Sequence, residues 1–428
     1  MTKNKNASVA YQITIIGILF FIFGFITWAN GTLIPYLKIA CELNEAQQYY
    51  VATAFFAAYF IMAIPSSVIL SKTGFKNGMS VGLMVMAIGA LLFIPAAQTR
   101  TYNIFLLGLF IIGTGLALLQ TAANPFVTIL GPIESAAQRI SIMGICNKIA
   151  GICAIYVLGS IALKDADILK AKLLTLDATQ KAIELDALAA RVIQPYTILA
   201  ITLALLAIAI YFVKMPEIKE DQEPENENQK VGLTTAEKTS IFQFPHLLLG
   251  ALAIFFYVGV EVISYDTFAN FGEHLGFPLD TAKNFPTYTG YALLAGYIFN
   301  IIAIPKYISQ QKTMLSLTIL SMILVVLSVI TTGKVAIVCF MLLGFSNAVM
   351  WPAIWPLAID GLGKFTKMGS ALLIMGIVGG AILPPLYGKI SEIIGNKQTA
   401  YLMMLPCYLF ILYYAIVGHK VGREKETK

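Results

Sequence analysis

Apolar stretches of 20 or more residues recur along the whole chain, and only two long polar segments interrupt them, near residues 163–192 and 214–243. Such stretches match the ~20 residues a helix needs to cross about 30 Å of hydrocarbon. In hydrocarbon every backbone N–H and C=O must be satisfied within its own segment or in a closed barrel. Barrel strands alternate over roughly ten residues, whereas these runs are longer and continuously apolar, so the pattern predicts helices. Twelve spans fall near 11–37, 50–71, 78–97, 103–130, 140–162, 193–213, 246–272, 286–305, 312–331, 334–358, 366–390 and 399–418. The fold class predicted is an all-α membrane protein.

Composition agrees, because the chain is 58% hydrophobic and 12% charged, about half the charged fraction (roughly 25%) of a soluble domain. Charge is distributed by side. With both termini cytoplasmic, the short loops and tails on that side hold thirteen Lys/Arg, among them Lys72, Lys76, Arg139 and Lys306, against six on the other. This positive-inside bias supports that orientation. The net charge of +6 is thereby explained by topology, and nucleic acid is not an expected partner. The five cysteines lie mostly inside spans without paired spacing, so neither a disulfide framework nor a metal site is indicated. The first apolar run is long and has no small-residue cleavage site, which predicts an uncleaved first span.

The segment 214–243 contains PENENQ and seven acids against four bases, the composition of a solvated linker. It divides the spans six and six: a bundle over 1–213, the linker 214–243 and a bundle over 244–428. The segment 163–192 carries Leu, Ile and Ala at helical spacing and five charges of each sign, which predicts amphipathic helix on the periplasmic surface. ISIMGI at 140–145 recurs as LLIMGI at 372–377, and Asn124-Pro125 matches Trp355-Pro356 at nearly the same offset. Parallel repeats of this kind suit a transporter whose halves rock around a central site.

Ionisable groups inside spans are costly and are functional candidates by default. Lys148 is the one basic residue left in the membrane once the loop charges are removed; Glu261 is the deep acid, with Asp266 nearer the outer end of the same span. Uncharged polar and aromatic candidates are Asn30, Gln120, Asn124, Asn147 and Asn347 with Trp28, Trp351 and Trp355. Amides bond hydroxyls and indoles cover the apolar face of a ring, the mixture a small polar solute requires. The same amides can instead bridge helices, and tryptophans also populate interfacial belts.

The strings NGTLIP (30–35), QTAANPFVTILGP (120–132) and TKMGSALLIMGIVGG (366–380) resemble the fucose, galactose and glucose:proton symporter family of the major facilitator superfamily. ICNKIAG (145–151), FQFPHLLLG (242–250) and WPAIWPLAIDG (351–361) look most like its glucose/galactose carriers. The resemblance implies two pseudo-symmetric six-helix bundles and import of a hexose by symport with H+ or Na+ through alternating access. It further implies a monomer in the cell inner membrane that needs no cofactor beyond the coupling ion. Where the fucose symporters carry carboxylates in the first and fourth spans, this chain has Gly31 and Gln120. Glu261, opposite Gly31 or Asn30 in the repeat, is the expected replacement, with Lys148 as its candidate ion-pair partner. Fucose or N-acetylglucosamine remains an alternative substrate. A membrane-embedded enzyme is the rival from another class, although the three histidines stand near span ends and form no cluster.

Overall fold

The computed structural model describes residues 2–43, 47, 50–162, 164, 166–213, 239–277, 279–282 and 285–423. Helix α1 is Thr2–Ala40, α2 Tyr50–Leu91, α3 Phe93–Gln98, α4 Tyr102–Ile129 and α5 Ala136–Ala162. They are followed by α6 Ala166–Leu173, α7 Ala178–Ala190 and α8 Ile193–Phe212. Residues 214–238, expected from the sequence to lie in a linker, are outside the described set; after them come α9 Pro245–Asp266, α10 Phe268–His274, α11 Leu279–Ala282, α12 Phe285–Ala303 and α13 Gln310–Ile330. The chain ends with α14 Gly333–Asn347, α15 Met350–Ile359, α16 Thr366–Met375, α17 Gly379–Ile394, α18 Lys397–Ala400 and α19 Met404–Ile416.

Ten segments among the described residues are long and apolar enough to cross a membrane. One of them, Thr53–Gln98, is 46 residues long, enough for two crossings. Gly74 divides it: its φ of 74° and ψ of 171° lie outside the helical region, a backbone conformation that favours glycine. Helix α12, 19 residues long, is a further crossing whose Thr287, Tyr288, Thr289 and Asn300 dilute its apolar character. These two features reconcile ten segments with the twelve spans read from the sequence. The polar stretch before α8 folds into α6 and α7, with Asp177 capping α7 by accepting from the Gln180 N–H. Lys181 pairs with Glu42 at 2.6 Å, and the Tyr36 hydroxyl donates to the Ala189 carbonyl at 2.8 Å. These contacts fasten α7 to the end of α1.

Helix α8 shows the solvent for which these surfaces are built. Tyr196, Ala200, Leu203, Ala207 and Ile210 form its buried stripe. Its opposite face is equally apolar, with Ile198, Ile201, Leu205 and Ile208 each at least half exposed. A helix that is hydrophobic all round belongs in lipid.

The chain forms two compact units. One comprises Thr14–Ala123 and Cys146–Glu217, the other Met1–Ile13, Asn124–Ile145 and Ile218–Lys428. In the first, α2 packs against α8. In the second, α9 is the central helix, contacted by α15, α17 and α19, while α14 packs on α12 and α13. Pro245 occupies the first turn of α9, where its missing N–H costs nothing.

Two helix ends in the second unit are closed by arginine. Arg139, read from the sequence as a loop cation, is 6% exposed and donates to the carbonyls of Val127 at 2.9 Å, Thr128 at 2.7 Å and Pro132 at 3.1 Å. The last carbonyls of a helix have no partner within it, and the guanidinium fork supplies donors for them at the end of α4. The end of α15 is met from further away. Arg423 donates to the Leu357 carbonyl at 2.7 Å and pairs with Asp360 at 2.5 Å, while His246 Nε2 lies 3.1 Å from the Asp360 carbonyl.

Candidate functional site

The residues singled out in the sequence fall into two constellations, one in each compact unit. In the first unit, Lys148 of α5 is 8% exposed, so its ammonium must be met by protein groups. Its Nζ stands 4.0 Å from the centroid of the Trp28 ring, within cation–π range. Trp28 Nε1 donates to Asn147 Oδ1 at 3.4 Å, and Asn147 Nδ2 donates to the Phe20 carbonyl at 3.5 Å. Gly24 makes this approach possible, because a Cβ there would lie 1.9 Å from the Asn147 carbonyl oxygen. Trp28, Asn147 and Lys148 thus form one group between α1 and α5. Gln120 of α4 stands apart from it, donating to the Tyr59 hydroxyl at 3.1 Å.

In the second unit the organising residue is Glu261 of α9, which is partly buried. Tyr257, one turn earlier on the same face, and Tyr297 of α12 are in electrostatic contact with its carboxylate. Tyr408 of α19 is in electrostatic contact with Glu261. Its hydroxyl donates to Asn347 Oδ1 at 2.9 Å. Asn347 is fully buried, and its Nδ2 has no hydrogen-bond partner among the described residues. Trp351 stacks on Trp355 at 5.3 Å with 27° between the planes and lies 6.4 Å from Tyr257. Trp355 is fully buried, and its Nε1 also has no partner among the described residues.

The remaining candidates divide differently. Asn124 is fully buried in α4 beside Pro125, and the Thr128 hydroxyl donates to its carbonyl at 3.0 Å. Asn30 lies within α1 and Asp266 ends α9, but their side chains are outside the described residues. The tyrosines are what the sequence reading missed. Tyr257, Glu261 and Tyr265 repeat at four-residue spacing, which places them on one helix face, so the signal was present. Asn300 of α12 was also missed; it is fully buried, and neither amide atom has a partner among the described residues.

An unpaired polar atom is expensive in an apolar interior, and in lipid it has no water to turn to. No three His, Cys, Asp or Glu among the described residues are grouped to hold a metal ion. The long apolar helices define a multi-pass membrane protein.

The comparisons assign the family. The chain matches the Major Facilitator Superfamily over residues 16–384 and belongs to it. It is 37% identical over 426 residues to the glucose/galactose transporter of Brucella abortus, covering 97% of this chain and 96% of that protein. It is 30% identical over 404 residues to the L-fucose-proton symporter of Escherichia coli, covering 93% and 90%. Among solved structures, the transporter FucP in its outward conformation superimposes with a TM-score of 0.83 at 29% identity, over 95% of this chain and 98% of FucP. Its relatives and fold are those of transporters, not of enzymes.

Proposed function

We propose that this protein imports a hexose of the glucose/galactose type by symport with a proton through alternating access, with Glu261 as the coupling carboxylate. The observation that carries this reading is the placement of Glu261 among tyrosine hydroxyls in the same unit as Asn347 and the stacked Trp351 and Trp355. A carboxylate beside hydroxyls that both donate and accept finds partners whether or not it carries a proton. Sodium sites in secondary transporters draw instead on carbonyls freed where a helix unwinds, and α9 is continuous from Pro245 to Asp266. Asn347, Trp351 and Trp355 serve as sugar contacts, joined by Trp28, Asn30, Gln120, Asn124 and Asn147. Lys148 is assigned to ion coupling as the partner of Glu261 at one stage of the cycle, and Asp266 is an outer acid on the proton path. The names of the curated relatives support the substrate class, and the side bias of Lys and Arg supports an inner-membrane protein with both termini cytoplasmic.

The test is sugar movement in proteoliposomes. Counterflow of labelled glucose, galactose, L-fucose and N-acetylglucosamine identifies the substrate; imposed proton or Na+ gradients identify the ion. Accumulation driven by Na+ alone would overturn the proton assignment. A Lys148→Glu, Glu261→Lys double variant no better than either single change would remove the ion pair.

A further inference from the structure

Helices α12 and α14 lie side by side in the second unit, and glycine sets how close they come. A Cβ at Gly296 would stand 2.5 Å from the Phe345 carbonyl oxygen, and one at Gly344 would stand 2.4 Å from that of Thr289. Both contacts put backbone against backbone, and residue numbers rise together along the seam, so the helices run parallel. Beside the seam is a groove of 320 Å³, in which Tyr288, Tyr291, Ala292 and Ala295 of α12 face Met341 and Phe345 of α14. Its volume lies at the lower end of the roughly 300–1,000 Å³ of small-molecule sites. Among the described residues no charged side chain lines it.

The groove opens on a surface suited to lipid. On α12, Tyr288, Tyr291, Ile298 and Ile302 are exposed, and on α14 so are Val335, Val338 and Leu342. Their spacing of three, four and seven places each set on one helix face, so two apolar stripes flank the groove. We propose that this groove holds an acyl chain of a membrane phospholipid, with the chain along Ala292 and Ala295 and the ester region at Tyr288 and Tyr291. Both tyrosines stand in the first two turns of α12, the depth at which phenol rings sit between hydrocarbon and headgroups. Each hydroxyl can donate to an ester carbonyl. From Tyr288 to Ala295 the helix rises about 10 Å, and the side chains along it offer methylenes a continuous apolar wall. A second copy of the chain fits the groove less well. Membrane helices associate where small residues let backbones approach, and here the alanines lie between larger side chains that hold a second helix off. A free fatty acid would bring a carboxylate to a site whose lining has no cation. A chain in this place buttresses α14 in the turn before Asn347, and the assignment is independent of the role given to Glu261.

The test uses the full chain in nanodiscs containing a phosphatidylethanolamine with a diazirine in its acyl chain. On illumination, labelled peptides should concentrate on the segments Tyr288–Ala295 and Met341–Phe345. Ala295→Trp fills the groove, and labelling of these segments should fall about tenfold, the effect of losing burial for about two methylenes. Ala292→Leu, a smaller filling, should lower it less. Val335→Trp, on the same apolar surface but outside the groove, should leave it unchanged. Exchanging the headgroup for phosphatidylglycerol should also leave it unchanged, since no charge lines the site. Labelling spread over all apolar faces in proportion to their exposure, or undiminished in both filling variants, overturns the site. A marked difference between the two headgroups overturns the placement of the ester region. Suppression of labelling by added free fatty acid overturns the phospholipid as occupant. Cross-links between two copies through these segments, lost in Ala295→Trp, make the groove a contact between chains and overturn the proposal.

Discussion

Lys148 and Glu261 are both ionisable groups inside apolar helices, yet their surroundings differ. Lys148 is 8% exposed with its ammonium over the Trp28 indole, and the negative face of an aromatic ring rewards only the charged state of a cation. Glu261 is more open and sits among phenol hydroxyls, which can bond the carboxylate as donors or the carboxylic acid as acceptors. Under the proposed symport, Lys148 is the fixed charge that partners the acid, and Glu261 is the group that takes up and releases the proton.

The strongest way to break this contrast is to fix the acid in its neutral form. Glu261→Gln is expected to lower proton-driven sugar accumulation about tenfold or more, since it removes the differential interaction on which coupling depends. Matched protein levels and an imposed pH gradient make the measurement. Next in size is the support of the held charge. Trp28→Ala should destabilise the detergent-solubilised protein by about 1–2 kcal/mol, the value of a desolvated cation–π contact, with a lowered Tm, and Trp28→Phe should lose less. If Lys148→Met removes the penalty of Trp28→Ala, the cycle confirms that the two residues act as a pair. Asn347→Ala takes away the acceptor of the buried Tyr408 hydroxyl. The expected cost is on the order of 1–3 kcal/mol for an orphaned polar group, with a raised KM for sugar and an unchanged proton requirement. Gln120→Ala is the smallest change. Helix-bridging amides in membranes contribute ~0.6 kcal/mol, so a shift in KM beyond about threefold would favour sugar contact over bridging.

The spans were legible because lipid leaves a helix no alternative, and the boundary at Gly74 was legible as the gap between the spans near 50–71 and 78–97. The number of crossings was less easily recovered from the folded chain than from the sequence. The turn at Gly74 is tight enough for α2 to run on through it, and α12 carries polar residues that a hydropathy criterion penalises. Of the candidate site, the residue types were readable but their company was not. Nothing in the spacing of Asn147 or Trp28 tells that one bonds the other, because α1 and α5 are 119 residues apart at that contact. Tyr257 and Tyr297 escaped notice because tyrosine in a span is ordinarily packing, and their relation to Glu261 depends on how α12 lies against α9. Arg139 was counted by its neighbours in sequence as a loop charge, whereas its guanidinium is spent on carbonyls at and just beyond the end of α4 and on the Ser135 hydroxyl.

The closure of α15 ties the last described turn of the chain to the helix that bears Trp351 and Trp355. Arg423 thus serves as a fastening for a helix that lies more than sixty residues earlier. Any shortened form that stops ahead of that arginine strips two carbonyls and one carboxylate of their counterpart at once. Tags and reporters therefore belong well beyond Arg423, where the fastening is left whole.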